Sequence, residues 1–255
     1  MIKIQKIQDP NKGQHFLVSK EIIKKEIKEA NISKKDLVIE IGAGTGNLTE
    51  ELSKYAGKVI AYEIDKSFEN DLMSLQKNYE NLIVIFDDAF NHSWKNCTKI
   101  VSNIPFYVSD KIIFKAIQED IKEIILLVGE KFKKKLSNRK TKIGFIANLF
   151  YEIEFLMKVK KENFYPRPRV DSWLIRLKIK KPNSKFESIL RSFILKKGKI
   201  KNAIIYSFVE NKKTKREARY FIKKAGFFTS VLEKPVSRVT GNFLVRLENS
   251  LKSFL

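Results

Sequence analysis

The fold of this chain follows from one run of residues, Leu37-Val38-Ile39-Glu40-Ile41-Gly42-Ala43-Gly44-Thr45-Gly46. Its first half favours a buried β-strand, its second half places three glycines at alternate positions, and residues 47–56 have the pattern of a helix. Glycine adopts positive φ angles and lets a ligand approach where a Cβ would collide. A strand that ends in a glycine turn and leads into a helix N-terminus is typical of sites for nucleotide-like ligands.

The spacing of the glycines indicates which class of ligand such a turn binds. The pattern is G-x-G-x-G, whereas turns that bind dinucleotides have G-x-G-x-x-G. Glu63 closes the next predicted strand, 21 positions after Gly42, and a carboxylate there can bind both hydroxyls of a ribose. The spacing therefore favours an S-adenosylmethionine site. A nicotinamide dinucleotide site and a purely structural glycine turn are the alternatives.

Short apolar runs alternate with helical segments through the first two thirds of the chain. The predicted strands are 37–41, 58–62, 82–86, 99–102, 124–128, 153–159 and 172–179. This alternation is typical of a parallel sheet that helices cover on both faces. Asp87, Asp88 and Ala89 follow the third strand, at the sheet edge where ligands of such sheets bind. One of the two aspartates could accept a hydrogen bond from an adenine amino group, and an exposed turn is the alternative.

The last third of the chain is helical in pattern and strongly basic. After residues 180–184 no strand pattern recurs, and helices are predicted near 185–195, 200–209, 214–225 and 237–252. Residues 182–255 contain 17 Lys and Arg against 5 Asp and Glu, in a chain of net charge +22. Nucleic acid is the leading partner for such a charge, and an anionic membrane surface is the lesser one. We predict two domains, residues 1–181 and 182–255.

Composition excludes several other kinds of site. Cys97 is the only cysteine, so no internal disulfide and no Cys-rich metal centre can form. His15 and His92 are the only histidines, which leaves few ligands for zinc, and we expect no metal site. No run of about 18 apolar residues occurs, so we expect a soluble protein of a reducing compartment without a membrane span.

A second informative motif, Asn103-Ile104-Pro105-Phe106, closes the fourth predicted strand. The exocyclic amine of adenine is a poor nucleophile because its lone pair is delocalised into the ring. The side-chain oxygen of Asn103 and the carbonyl of Ile104 can accept hydrogen bonds from that amine and pull its nitrogen toward tetrahedral geometry. Phe106 offers a face on which a flipped-out base can stack, and Phe164 could close the other face. A strand-to-helix turn with a buried Phe, and ordinary packing of Phe164, are the alternatives.

Six segments of the chain together resemble the rRNA adenine N6-dimethyltransferases. They are Gly13-Gln14-His15-Phe16-Leu17, Glu40-Ile41-Gly42-Ala43-Gly44-Thr45-Gly46-Asn47-Leu48-Thr49, Glu63-Ile64-Asp65, Asp88-Ala89, Asn103-Ile104-Pro105-Phe106 and Phe164-Tyr165-Pro166-Arg167-Pro168-Arg169-Val170-Asp171-Ser172. The segments occur in the family's order and span about residues 12–180. The resemblance implies an α/β fold, with a seven-stranded Rossmann-like class I methyltransferase sheet and a small all-helical C-terminal domain that binds RNA.

The resemblance also implies a reaction and its residues. Members of the family use S-adenosylmethionine to place two methyl groups on N6 of adenosine in ribosomal RNA. The implied cofactor contacts are His15, Leu17, Gly42, Gly44, Glu63, Ile64, Asp88, Ala89 and Asn103. The implied catalytic and base-contacting residues are Asn103, Ile104, Pro105, Phe106 and Phe164.

Two branches of that family compete. One modifies two adjacent adenosines near the 3′ end of small-subunit rRNA during ribosome assembly, and the other methylates large-subunit rRNA and confers macrolide resistance. The helical tail with Lys196-Lys197-Gly198-Lys199 is more similar to the small-subunit branch. We therefore expect a cytoplasmic monomer that acts on rRNA within a small-subunit pre-ribosomal particle. A non-catalytic RNA-binding assembly factor and a DNA adenine methyltransferase are the alternatives from other classes.

Overall fold

The chain divides into two compact units in the computed structural model, which describes residues 15–104 and 108–255. The first unit contains the described residues up to Lys133 together with Glu152–Ile179. The second contains Lys134–Tyr151 and Lys180–Leu255. In the described residues, no helix has both the length and the apolar character needed to cross a membrane.

The first unit is built on a sheet of seven strands, and a separate pair of short strands lies beside it. The nine strands are β1 (Phe16–Leu17), β2 (Leu37–Ile41), β3 (Lys58–Tyr62), β4 (Leu82–Ile85), β5 (Lys99–Ser102), β6 (Glu123–Gly129), β7 (Tyr151–Val159), β8 (Phe164–Tyr165) and β9 (Ser172–Ile179). The large sheet has the order β4-β3-β2-β5-β6-β9-β7. The predicted seven-stranded sheet is confirmed, with every strand within two residues of its predicted bounds.

The pairing of the strands explains why the strand sequences are continuous runs of apolar residues. Strands β2 to β6 run parallel to one another, and β9 runs antiparallel to β6. Six of the seven residues of β6 are buried, because helices cover both faces of a parallel sheet and every side chain then meets apolar surface.

The sheet opens into a crevice between β2 and β5. The chain reverses its direction of travel across the sheet at β2, and ligands of open α/β sheets bind beside such a point. The ladder between β2 and β5 pairs Val38 with Lys99 and Ile39 with Ile100 and extends no further. Beyond it, the buried N–H of Ile41 donates a hydrogen bond of 2.8 Å to the Oγ of Ser102. One hydroxyl thus satisfies a backbone group that the separating strands leave without a ladder partner.

The two-stranded sheet joins parts of the chain that are far apart in sequence. Strands β1 and β8 are antiparallel, with Phe16 opposite Tyr165 and Leu17 opposite Phe164. The ring of Phe16 also packs edge-on against that of Phe68, at 5.5 Å between centroids. This ladder brings the segment before α1 and the second proline-containing loop to the same place, which the sequence patterns did not predict.

Four helices of the first unit pack on the large sheet. They are α1 (Lys20–Glu29), α2 (Asn47–Tyr55), α3 (Glu69–Asn78) and α4 (Ser109–Gln118). Ser19 caps α1 by accepting from the N–H of Ile22, as expected of a Ser at that position. The buried face of α1 consists of Ile23, Glu26 and Ile27, so one carboxyl group lies among apolar neighbours.

The second unit is made of helices. They are α6 (Lys142–Phe150), α7 (Lys185–Leu195), α8 (Ile200–Glu210), α9 (Lys215–Ala225), α10 (Thr229–Leu232) and α11 (Gly241–Phe254), and α5 (Glu130–Ser137) begins in the first unit and ends in this one. The sequence predicted α7, α8 and α9 within one residue and did not predict α5 or α10. The predicted last helix began at 237, whereas α11 begins at Gly241 after Thr240, whose side chain caps it.

Residues 134–151 lie in the second unit, although the sequence pattern placed them in the first. The guanidinium of Arg139 donates to both oxygens of Glu248, at 3.0 and 3.1 Å. Gly241 approaches so closely that an added Cβ would lie 1.9 Å from the carbonyl oxygen of Lys140. Both contacts join positions about a hundred residues apart, so no local pattern could have indicated them.

The hydroxyl that bridges β2 and β5 can be tested by removing it. In Ser102→Ala the buried N–H of Ile41 loses its acceptor, which costs about 1–3 kcal/mol. We expect urea unfolding to show a free energy of unfolding lower by that amount. Ser253→Ala, which removes an exposed hydroxyl from α11, should change it by less than about 0.5 kcal/mol. Equal stabilities of the two variants would show that the bridge contributes nothing.

Candidate active site

A cavity of about 920 Å³ opens at the crevice, on the carboxyl edge of the parallel strands. It brings together every predicted site residue that the structure describes: His15, Leu17, Gly42, Gly44, Glu63, Ile64, Asp88, Ala89, Asn103, Ile104 and Phe164. The two other predicted residues, Pro105 and Phe106, lie outside the described residues. Positions up to 149 residues apart in the sequence therefore line one cavity.

The glycine turn has the backbone conformation that its sequence indicated. Gly42, Gly44 and Gly46 have φ angles of +78°, +52° and +78°. A Cβ added to Gly42 would meet no heavy atom within 4 Å, so the backbone there faces open space. A Cβ added to Gly44 would lie 2.8 Å from Cε1 of Phe16. One glycine thus lets a ligand reach the main chain, and another allows the segment before α1 to close against the turn.

The carboxylate of Glu63 holds two turns of the sheet edge together. Its Oε2 accepts from the N–H of Gly44 at 2.7 Å, and its Oε1 accepts from the N–H groups of Ile64 and Asp65, both at 2.8 Å. A carboxylate has about four lone-pair positions, so three backbone bonds leave it with capacity for a further donor such as a ribose hydroxyl. Glu63 therefore shapes the glycine turn as well as lining the cavity.

Two residues near Glu63, Ile64 and Asp88, suit the binding of a flat ring that carries polar groups on its edge. Ile64 lines the cavity with 69% of its surface exposed, an unusual exposure for an aliphatic side chain. Asp88 accepts from the N–H of Phe90 through Oδ1 at 2.9 Å. Asp87 accepts from the N–H of Asp88 and pairs with His92, and these contacts lower the pKa of Asp87. Asp87 thus stabilises its own loop, which leaves Asp88 as the better candidate to bind an amino group.

The segment before α1 and the loop around Phe164 form another wall of the cavity. Nδ1 of His15 lies 2.8 Å from the carbonyl oxygen of Pro166, which orients the ring as a donor to that loop. The carbonyl of Leu17 accepts from the side chain of Asn47 at 3.3 Å. Phe164 is buried in the hydrophobic core and also lines the cavity. The packing role that was an alternative for Phe164 is therefore present, together with a position at the cavity.

Asn103 lies at the cavity with one half of its amide engaged. Its Nδ2 donates to Oε2 of Glu26 at 3.1 Å. Its Oδ1 is shielded from solvent and accepts no hydrogen bond from the described residues. An unsatisfied buried acceptor costs about 1–3 kcal/mol, and such atoms in native structures are typical of functional positions.

Acidic side chains concentrate around this amide. Burial raises the pKa of Glu26 to about 8, against the opposing effect of the hydrogen bond from Asn103. Burial also raises the pKa of Glu40 to about 8; the nearby Thr49 hydroxyl opposes that rise, and the charges of Glu26 and Glu63 add to it. In the part of the chain that the structure describes, no group of three or more His, Cys, Asp and Glu has the arrangement of a metal site.

Comparison with known proteins decides the family. The model of a family described as ribosomal RNA adenine dimethylase matches residues 8–229. The chain belongs to this family. A probable ribosomal RNA small subunit methyltransferase A of Pyrococcus furiosus is 33% identical over 180 residues, which are 69% of this chain and 66% of that relative.

Solved structures agree on the fold of this dimethylase. A dimethyladenosine transferase from Plasmodium falciparum matches with a TM-score of 0.64 and 24% identity, over 94% of this chain and 98% of that one. The 23S rRNA methyltransferase ErmE matches with a TM-score of 0.63 and 22% identity, over 93% and 99%. At these identities the likeness shows the shared fold, a Rossmann-like methyltransferase domain followed by a helical region.

Ribosomal RNA adenine dimethylases use S-adenosylmethionine, and the cavity fits that cofactor on three observations. Its volume accommodates a nucleoside with an amino-acid tail. The main chain at Gly42 faces open space, so a ligand can approach it. Glu63 and Asp88 supply acceptors for hydroxyl and amino groups.

Three residues that shape this site were not predicted from the sequence. Phe16 limits the space at Gly44, Ser102 bridges the opening strands, and Glu26 holds the amide of Asn103. Phe16 and Ser102 act through contacts that no local pattern indicates. Glu26 did leave a signal, because it is an acidic residue between Ile23 and Ile27 on the apolar face of an amphipathic helix.

The dual role of Glu63 predicts how its amide variant will bind the cofactor. In Glu63→Gln an NH₂ group replaces one acceptor and faces a backbone N–H. The charge-assisted bond that is lost contributes about 1.5–3 kcal/mol. We expect isothermal titration to show S-adenosylmethionine bound about 10- to 150-fold more weakly. Glu187→Gln is the matched control, because it makes the same change in a carboxylate that accepts from the N–H of Asn183. Its affinity for S-adenosylmethionine should equal that of the unmodified protein. Unchanged affinity in Glu63→Gln would contradict the role of the carboxylate.

Proposed function

We propose that this protein transfers methyl groups from S-adenosylmethionine to N6 of adenosines in small-subunit rRNA, at two adjacent adenosines near its 3′ end. The observation that supports this most is the position of Asn103. Its amide, with an acceptor that no described residue occupies, lines the same cavity as the glycine turn and Glu63. A site for a nucleoside cofactor and a group suited to an adenine amine thus occupy one space.

The residues of the glycine edge hold the cofactor in this proposal. Glu63 binds the ribose, Asp88 with Ala89 binds the amino edge of the adenine, and Ile64 packs against its ring. Gly42 and Gly44 present main chain at close range, and His15, Leu17 and Asn103 complete the contacts. The bound cofactor supplies an electrophilic methyl group on a positively charged sulfur. The carboxyl groups of Asp65, Asp87 and Asp88 line the same cavity, and negative charge there favours that positive charge electrostatically.

The target adenine is activated by hydrogen-bond acceptors. The Oδ1 of Asn103 and the carbonyl of Ile104 accept from the two N–H groups of N6, which localises the nitrogen lone pair. The resemblance assigns Pro105 and Phe106, which lie outside the described residues, to this motif, and Phe164 is proposed to contact the extruded base. No strong base is required, because the methylated amine is cationic and releases its proton readily to water. The scarcity of histidine in the chain agrees with this chemistry.

The helical unit binds RNA in this proposal. A pocket of about 300 Å³ in this unit, which we call the basic pocket, is lined by Phe227, Phe228, Lys234, Arg238 and Arg246 among others. Phe228 is 72% exposed, and the guanidinium of Arg246 lies 5.1 Å from the ring centroid of Phe227. No acidic side chain lines the basic pocket in the described residues. An exposed aromatic ring among cations suits an unpaired base with its phosphates.

The choice of the small ribosomal subunit rests on the sequence relatives. The Pyrococcus furiosus relative is named for the small subunit, whereas the two matched structures differ by only 0.01 in TM-score. The fold alone therefore favours neither branch. We further propose that the protein acts in the cytoplasm as a monomer on a pre-ribosomal particle, which the basic tail and the resemblance to the small-subunit branch support.

The proposed reaction predicts a loss of chemistry without a loss of binding. Asn103→Ala removes an acceptor used at the reacting amine, which should lower the rate about 100- to 1,000-fold, by analogy with the removal of one hydrogen-bonding group from other transition states. Radiolabel transfer from S-adenosylmethionine to small-subunit rRNA measures the rate. Filter binding of the RNA should be unchanged. Mass spectrometry of both ribosomal RNAs identifies the modified nucleotides.

The controls for this variant separate the competing functions. Asn249→Ala, at an exposed position of α11, should transfer methyl groups at the normal rate. Binding of rRNA without any transfer by the unmodified protein would favour a non-catalytic assembly factor. Transfer to large-subunit rRNA, or efficient transfer to duplex DNA, would show that the assigned substrate is wrong.

The basic pocket predicts that RNA binding depends on one aromatic side chain. Phe228→Ala removes a stacking surface that contributes about 1–3 kcal/mol per base, which corresponds to about 5- to 150-fold in the dissociation constant. Filter binding should also show affinity falling steeply with salt, because Lys and Arg contacts release counterions. Tyr55→Ala, at an exposed aromatic residue of α2, is the matched control. Equal affinity of the two variants, or no response to salt, would contradict RNA binding by this unit.

A further inference from the structure

Glu26 occupies a position that ordinary packing would give to an apolar residue. It lies between Ile23 and Ile27 on the buried face of α1 and has no exposed surface. A carboxyl group in such surroundings loses its hydration, and proteins retain that arrangement only where compensating contacts or a function require it. Its surroundings therefore indicate what the group does.

The single hydrogen bond of this carboxyl group joins it to the proposed reacting site. Oε2 accepts from Nδ2 of Asn103 at 3.1 Å, and Oε1 has no partner among the described residues. Glu26 does not line the cavity, whereas Asn103 does. The carboxyl group thus lies behind the amide and can reach the substrate only through it.

We propose that Glu26 is a positioning residue that holds the side-chain amide of Asn103 in one orientation, with its oxygen available to the substrate amine. The inference rests on the proposed function, since it concerns how Asn103 meets the target adenine. Nothing in it requires Glu26 to touch either substrate.

The side-chain amide of Asn103 is nearly symmetric in shape but not in hydrogen bonding. Rotation by about 180° about the last side-chain bond exchanges its oxygen and nitrogen at almost no cost in shape. In one orientation the substrate amine meets an acceptor, and in the other it meets a second donor, which repels it. An ionised carboxylate can only accept hydrogen bonds, so it pairs with Nδ2 and selects the productive orientation.

Ionisation of Glu26 then controls the selection. A protonated carboxyl group also has a hydroxyl donor and can pair with either end of the amide. Burial raises the pKa of Glu26 to about 8. The acids grouped with it are Glu40 and Glu63, and the cavity is also lined by His15, Tyr62, Asp65, Asp87, Asp88, Lys66 and Lys111. The fraction of molecules that hold the Asn103 amide in the productive orientation therefore increases as the pH rises through about 8.

The same ionisation has the opposite effect on stability. The folded-state pKa of Glu26 lies above its ordinary value, so the neutral form is favoured in the folded protein. That contribution to stability is fully present below the ordinary pKa of 4.5 and is lost progressively as the pH rises from there to about 8. A residue placed for packing alone would not combine better chemistry with poorer stability over one pH range.

The test compares Glu26→Gln and Glu26→Leu with Glu21→Gln, which changes an exposed acid on the same helix. Glutamine pairs with either end of the amide, so we expect the maximal rate of methyl transfer at pH 8.5 to fall about tenfold, and further with leucine. The Michaelis constant for RNA should not change. The rise in rate through about pH 8 should disappear in both variants and persist in Glu21→Gln.

Two further readouts do not depend on activity. The thermal midpoint of Glu26→Gln should exceed that of the unmodified protein at pH 9, and the difference should shrink steadily as the pH is lowered from about 8 toward 4.5. The side-chain NH₂ resonances of Asn103, assigned by their loss in Asn103→Ala, should shift with an apparent pKa near 8 in the unmodified protein and stay constant in Glu26→Gln.

The outcomes separate this inference from the proposed function. If Glu26→Gln has the same rate, pH profile and NH₂ titration as the unmodified protein, the positioning role is overturned and methyl transfer stands. An NH₂ signal of Asn103 that does not titrate between pH 6.5 and 9.5 would overturn the control by ionisation. If the unmodified protein transfers no methyl group to any rRNA, the proposed function fails, and the inference fails with it.

Discussion

Three backbone N–H groups that converge on the carboxylate of Glu63 organise the site. They come from Gly44 after β2 and from Ile64 and Asp65 after β3, so one side chain joins the turns of two neighbouring strands. A glycine turn by itself is flexible, because glycine has a large conformational freedom to lose on folding. The three bonds restrict that freedom and shape the turn before any ligand arrives. A preorganised turn of this kind binds its ligand with a smaller loss of entropy.

Three unfavourable features occur together where the chemistry is proposed. Oε1 of Glu26 and Oδ1 of Asn103 are buried without hydrogen bonds from the described residues, and the ladder between β2 and β5 ends early beside them. Each feature weakens the folded state, and Ser102 offsets only the last. Real proteins break the rules of packing and polar satisfaction mainly at functional sites. The loss of stability here accompanies an open crevice with the Oδ1 acceptor of Asn103 at its wall.

In the proposed function, the two units have different roles, catalysis in the first and RNA binding in the second. The first supplies a cavity with several acidic groups, which suits a cationic cofactor, whereas the second presents cations and exposed aromatic rings, which suit RNA. The excess of positive charge is greatest in the tail, with 17 Lys and Arg against 5 Asp and Glu in residues 182–255. Such a separation lets attraction to phosphates act without introducing repulsion at the positively charged methyl donor.

The sequence by itself determined the seven strands, most of the helices and, through the resemblance of its motifs to a family, eleven of the residues that line the cavity. Buried parallel strands are continuous apolar runs, and glycine turns follow them at fixed places, so these features depend on neighbours in the chain. Only the tertiary structure decided the pairing of β1 with β8, the bridge from Ser102 to Ile41, the attachment of residues 134–151 to the second unit and the contact of Glu26 with Asn103. Each of these joins residues far apart in sequence. A distant contact depends on how whole elements pack, and no local pattern records it.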